Sequence, residues 1–235
     1  MSAARPQTAQ PRFNLYQPIH KALRAFMSDT LVAVGRMDTG DDSDVAVAVE
    51  EARSLLALLT IHLEHENRFV HTAMEARRPG STRQTAHDHV EHERALAELD
   101  RLIGFVSASA GAERAAAASS LYRRLALFVA ENLEHMGIEE RDNMAVLWAE
   151  YSDEELAALE ASIVAAVPPA LMAVATRWMM SALNHAERVG MLQGMRQAAP
   201  TEVFEGVLAI ARGNLAARDW AKLADALALP SARAA

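Results

Sequence analysis

Two short segments of this sequence each place a histidine and a glutamate four residues apart: His62-Leu63-Glu64-His65-Glu66 and His135-Met136-Gly137-Ile138-Glu139. Residues i and i+4 share one face of a helix, so each segment offers an imidazole and a carboxylate to a common point. Both pairs fall on otherwise apolar stripes, where an isolated ionised Glu is costly and a bound cation is one of the few partners that offsets the cost. His20 and His92 occupy comparable stripe positions in two other segments. Four imidazoles and two carboxylates that converge inside a helical bundle suit a pair of iron or manganese ions, with Glu66 and Glu139 bridging.

The elements that would position these residues follow from periodicity. A helix over 13–37 carries His20, Leu23, Met27, Leu31 and Val34 on one stripe. The turn-rich stretch 38–44 ends it. A second helix over 45–77 aligns Leu55, Leu59, His62, Glu66, Phe69 and Ala73, and stops at Arg78-Pro79-Gly80-Ser81. The third, over 82–108, aligns His92, Leu96, Leu99, Ile103 and Val106. The fourth, over 113–150, aligns Leu121, Leu125, Phe128, Asn132, His135 and Glu139. Gly137 inside that helix costs about 1 kcal/mol relative to Ala, which predicts a local bulge or a close packing contact there.

Connections this short make neighbouring helices antiparallel, so 13–150 reads as an up-down-up-down four-helix bundle after an unstructured tail over 1–12. Residues 151–235 read as a helical extension: pieces over 152–167, 170–183, 184–198, 201–215 and 219–229, with Ser152/Glu155 and Asn184/Glu187 as cap signals. The fold class is all-α.

Nine His are present, eight of them between positions 20 and 135. On the third helix His92 lies on the apolar stripe. His89, one turn earlier, is the alternative ligand, or else a partner behind the ligands or on the open side of the site. His65 and His71 stand roughly 60 to 100 degrees off the ligand line, at about 100 degrees per residue, which makes them surface or rim positions. His185 has Val189 four residues on and receives no ligand role. Met179, Met180, Met191 and Met195 in the extension read as core packing in an aromatic-poor protein.

Composition excludes several classes of function. With 23 Lys plus Arg against 31 Asp plus Glu, the formal charge is −8, and no basic block exists to displace counterions from nucleic-acid phosphates. Without a cysteine, thiolate metal ligation, disulfides and thiol nucleophiles are ruled out. No window approaches the roughly 18 apolar residues that a membrane span requires. The chain is read as a cytoplasmic protein, with no nucleic-acid or membrane partner.

The four motifs together resemble the hemerythrin-like, or HHE cation-binding, domains over about residues 13–150. The matching residues are Ile19-His20-Lys21-Ala22-Leu23-Arg24, the His62-to-Glu66 motif, Glu91-His92-Glu93-Arg94-Ala95-Leu96, and His135 to Glu139 followed by Glu140. The resemblance implies a non-haem di-iron centre (manganese or zinc in its place as alternatives), bridged by Glu66, Glu139 and an oxo or hydroxo group. His20, His62, His92 and His135 are its implied terminal ligands. Two departures set the chain apart from the oxygen-carrying members. Their third helix shows His-x-x-x-His, whereas Asp88 lies four residues before His92 and Glu93 four after His89. Their fourth shows His followed five residues later by Asp, whereas Glu139 at four and Glu140 at five compete here. Fewer His ligands leave more open coordination positions, which favours reactivity or metal exchange over reversible oxygen carriage. The absent cysteines also exclude the thiol chemistry of the related iron–sulfur repair proteins.

Three functions compete on this reading. One is a di-iron protein that binds oxygen or nitric oxide for sensing, storage or stress response. The second is a redox enzyme of peroxidase, oxidase or nitric oxide reductase type, taking peroxide or nitric oxide; it needs a proton donor near the metal, for which Asp88, Glu91 and His89 are the candidates. No catalytic residue is assigned. The third is a metal-free helical interaction module. The extension's small-residue and apolar stretches, 161–173 and 203–211, would pack on the bundle or form a homodimer.

Overall fold

The computed structural model describes residues 12–229; apart from Arg12, the tail expected over 1–12 lies outside the described residues. Of the described residues 86% are helical, and no strand occurs among them. Helix α1 (Gln17–Arg36) carries Pro18 in its first turn, with the Asn14 side chain accepting hydrogen bonds from the Tyr16 and Gln17 N–H groups at 3.0 and 2.9 Å. Helix α2 (Asp42–His65) is capped by Asp41, which accepts from the N–H groups of Ser43 and Asp44. After α2 the rod does not stop. It widens into a π turn over Glu66–His71 and resumes as α3 (Thr72–Arg77). Helix α4 (Arg83–Ala108) returns antiparallel, then α5 (Gly111–Ile138) widens into a second π turn over Glu139–Asn143 and resumes as α6 (Met144–Glu150). Four rods result, as the periodicity predicts.

The bulge expected near Gly137 therefore begins at Glu139, and a Cβ on Gly137 would meet nothing within 4 Å. Close packing at that glycine is not its cause. Glycine is required elsewhere: Gly80 at φ +83° and Gly111 at φ +55° sit in the left-handed region where the chain reverses before α4 and α5.

Two apolar clusters sandwich the middle of the bundle. The larger includes Leu23, Met27, Leu55, Leu99, Leu121 and Phe128, drawn from all four rods. The smaller closes the opposite end with Leu15, Tyr16, Val70, Met74, Met144 and Leu147. Leu156 of α7 (Asp153–Ala166) completes that second cluster, so the first helix of the extension belongs to this end of the bundle. Helix α8 (Pro169–Ala182) lies on α1, with Trp178 stacked on Phe26 at 4.4 Å and 15°. Beyond it, α9 (His185–Ala198), α10 (Thr201–Asn214) and α11 (Ala217–Ala226) enclose a third cluster with Met180, Leu192, Phe204, Ala211 and Leu223. Met179, Met191 and Met195 pack against it, which is the core role expected of them. Both capping boxes read from the sequence, Ser152/Glu155 and Asn184/Glu187, are formed.

Two carboxylates, the half-buried Glu75 and the exposed Glu155, fasten the end of the bundle nearest α3. Glu75 accepts from the Gly80 N–H at 2.6 Å and from the N–H and hydroxyl of Thr82, which lowers its pKa from 4.5 to about 2. Glu155 is lowered to about 2 chiefly by Arg77, then by the Ser152 N–H. A carboxyl whose folded pKa lies below its unfolded value contributes stability that is present above the unfolded value and lost as pH falls through the folded one. The expected outcome is that this contribution is complete above pH 4.5 and fades as the pH drops toward 2. Urea midpoints measured across that range should fall less steeply in a Glu75→Gln/Glu155→Gln variant than in the parent chain.

Candidate metal centre

Between the two bundle clusters the rods turn polar side chains inward. Glu66 and Glu139 open their respective π turns, and both are buried, at 5% and 0% exposure. A widened turn changes the angular phase of the rod at that residue, and such turns concentrate at functional sites. Around the two carboxylates stand four imidazoles, one from each rod. His20 Nε2 lies 3.6 Å from Glu66 Oε1 and 3.5 Å from Glu139 Oε2. His62 Nε2 is 3.2 Å from Glu66 Oε1, and His135 Nε2 is 3.4 Å from Glu139 Oε2. His89 Nε2 faces both carboxylates, at 3.6 and 3.7 Å, and stands 3.1 Å from His135 Nε2.

Of the six residues expected as ligands, the fold thus brings His20, His62, Glu66, His135 and Glu139 together. The third rod presents His89 to the carboxylates, the alternative that the sequence left open. His92 stands one ring further out, edge-on to His135 at 4.7 Å and to Phe128 at 5.9 Å. Its pKa falls to about 4 through burial and the neighbouring His135 and His89, so it is a neutral imidazole.

The donor set fits cation binding. Donor atoms of Glu66, His89, His135 and Glu139 lie within 4.8 Å of one another, as do those of His20, His62 and Glu66, so Glu66 belongs to both groups. Two donors each about 2.1 Å from one ion at right angles stand about 3 Å apart, close to the separations found here. His20 Nε2, Glu66 Oε1 and both carboxylate oxygens of Glu139 are buried without a hydrogen-bond partner. Orphaned buried polar atoms carry a full desolvation cost, and four of them pointing at one another call for a cation.

The far side of each ring is also held. Glu140 accepts from His20 Nδ1 at 3.1 Å and is itself gripped by Arg24 at 2.6 Å. Asp88 approaches His135 Nδ1 at 3.3 Å, and Asn67 Oδ1 holds His89 Nδ1 at 2.7 Å. Fixing Nδ1 as the protonated nitrogen turns the Nε2 lone pair inward, the arrangement that metal-ligating histidines use. The competition between Glu139 and Glu140 resolves geometrically: Glu139 faces the rings' inner nitrogens, while Glu140 holds His20 from behind.

Electrostatics agree with this division. Burial pushes His20 down, but Glu140, Glu66 and Glu139 outweigh it and raise its pKa to about 9. Burial likewise opposes ionisation of Glu66 and Glu139, yet the surrounding imidazoles hold both below the ordinary carboxylate range. The carboxylates are ionised, and a protonated His20 offsets part of their charge.

Several contributors were missed or misplaced by the periodicity. His65 and His71, expected at the surface or rim, are each only 6% exposed. His71 stacks on His89 at 4.7 Å and 12°, with Thr85 Oγ1 on its Nε2 at 3.2 Å, because the π turn rotates it inward. Tyr16 packs on His20 at 5.0 Å and its hydroxyl accepts from Asn143 Nδ2 at 3.1 Å. A signal for both existed: Tyr16 lies four residues before His20 and Asn143 four after Glu139. Burial, with Glu139 and Glu66 nearby, raises the Tyr16 hydroxyl well above its ordinary pKa, so it stays protonated.

A family model described as "Hemerythrin HHE cation binding domain" matches residues 14–160. No curated protein and no solved structure matches the chain. The match spans all four rods and the first part of α7.

The rear contacts generate an expectation. Glu140→Gln removes the charge that orients His20 and should weaken divalent-metal affinity by about 10- to 100-fold, the usual cost of losing such a support. A competitive titration against a chelator of known affinity would measure it, with helix content by circular dichroism unchanged.

Proposed function

Because this chain belongs to the hemerythrin HHE cation-binding family, we propose that its buried cluster holds two iron ions and that the loaded protein takes up a diatomic ligand, oxygen or nitric oxide, in sensing, storage or stress response. His20 and His62 would serve one ion, His89 and His135 the other, and Glu66 and Glu139 both. When bound, the ions supply the redox-active, Lewis-acidic pair to which such a ligand attaches. The observation that carries this reading is the set of buried carboxylate oxygens with no hydrogen-bond partner, ringed by imidazole nitrogens from all four rods.

The chain's own residues shape what can reach the ions. Beside His62, His89 and His135 lies a cavity of about 10 Å³, walled by Leu59, Leu63, Leu96, Phe128 and Met136. A space of this size is near the minimum for one water-sized molecule, so it refuses large substrates. Asn132, also on the wall, donates to the Phe128 carbonyl at 2.9 Å.

Binding is favoured over turnover by the state of the three residues considered as proton donors. Asp88 is engaged with His135, Glu91 with Arg94 at 2.6 Å, and His89 with Asn67. Among the described residues no helix is long and apolar enough to cross a membrane. A cytoplasmic setting and a homodimer through the extension belong to the same proposal.

Metal analysis of the purified full chain should give about two ions per chain, and addition of a strong chelator should lower the melting midpoint, since a ligand that prefers the folded state stabilises it. Glu66→Ala and Glu139→Ala should each bind less metal and lose most of that chelator-dependent shift while keeping their helix content. A parent chain with neither bound metal nor a chelator effect would leave the interaction-module reading in its place.

A further inference from the structure

Outside the cluster, α4 and α5 flank a second, open cavity of about 430 Å³. A hexahydrated divalent ion displaces about 200 Å³ at roughly 30 Å³ per water, so this space admits one. Four carboxylates line it: Asp88, Glu91, Glu131 and Glu134, with Arg124 as the cationic side chain among them. Glu131 approaches Arg124 at 3.5 Å, and Glu91 is paired with Arg94 at the rim. Glu134 has neither an ion pair nor a hydrogen bond among the described residues and stands exposed. The excess of negative charge is indifferent to a neutral diatomic molecule and repels anions. It attracts cations.

An independent feature marks the inner wall. His92 is 6% exposed, makes no hydrogen bond among the described residues, and lines this cavity. Its ring nitrogens carry no protein partner among those residues and are free to meet a ligand that enters from this side. His92 and His135 also line the small inner cavity beside Glu66 and His89, so these two rings form the partition between the outer and inner spaces. At the opposite end, the carboxylates are covered by the cluster of Tyr16, Val70, Met74 and Met144.

We propose that the α4–α5 cavity is the loading vestibule for the metal: its carboxylates concentrate a hydrated divalent cation, and His92 takes it first and passes it across the partition to His89 and His135. The inference rests on the metal-centre reading above, and it assigns His92 a part in entry rather than in the resident ligand set.

The test is stopped-flow loading of the metal-free full chain with Co²⁺, followed by its visible absorption and closed by metal analysis at the endpoint. Electrostatic focusing of this kind changes association rates by 10-fold or more and is suppressed by salt. A Glu91→Gln/Glu134→Gln variant should therefore load about 10-fold more slowly at low salt, lose most of the salt dependence, and reach the parent's final stoichiometry. His92→Ala should load slowly at high salt as well. Glu154→Gln/Glu202→Gln, which removes the same charge from exposed positions in the extension, should load at the parent rate. The vestibule is overturned if Glu91→Gln/Glu134→Gln loads as fast as the parent, or if the control slows equally. A parent chain that takes up no Co²⁺ overturns the centre itself, and the route with it.

Discussion

Two ionised carboxylates at the centre of a helical bundle set the terms for everything around them. Among the described residues Glu66 and Glu139 form no ion pair with lysine or arginine, and what surrounds them is imidazole from four directions. Such a group is tolerable only if the local charge is neutralised and the polar atoms find partners. The imidazoles do part of this by taking up protons, as the raised pKa of His20 and His135 shows. A protonated imidazole cannot bind a metal, so protons and cations compete for the same carboxylates. The apolar clusters on either side keep water from settling the competition by hydration, and the carboxylate and amide contacts behind His20, His135 and His89 set which nitrogen faces the contest.

Much of this was legible in the residue pattern, for a definite reason. The stripes on which His20, His62, Glu66, His135 and Glu139 fall are the same stripes that bury Leu23, Leu55 and Phe128, so one periodicity places both core and candidate ligands. The caps at Ser152 and Asn184 were legible because a side chain and its backbone partner lie three residues apart and owe nothing to the rest of the fold. The third rod was ambiguous because His89 and His92 are three residues apart, and both lie within a helix face wide enough to be buried. Only the height of the carboxylates along the bundle selects His89 to face them.

What was not legible traces to the two π turns. A wheel drawn at constant phase from His62 carries His71 to the rim, but one extra residue in the turn advances everything beyond Glu66, and His71 arrives behind His89. Periodicity contains no signal for such an insertion, because its stabilisation comes from the tertiary site that the widened turn serves. The extension was legible as helices and not as a neighbour of α1, since the Phe26–Trp178 stack joins residues about 150 positions apart. Lys21 on α1 reaches Glu187 of α9 at 2.6 Å by the same long-range route.

The π turns also bear on how the molecule breathes. A widened turn replaces the regular i to i+4 ladder with longer loops of backbone, so it is a natural place for a rod to open locally, below the free energy of global unfolding. Both such places coincide with the residues that carry the buried charge, one in the second rod and one in the fourth. Anything that bridges Glu66 and Glu139 thereby fastens the two weakest turns of the bundle to each other. Amide hydrogens near residues 66–71 and 139–143 then report occupancy of the centre through their exchange rates, although none of those amides touches an ion.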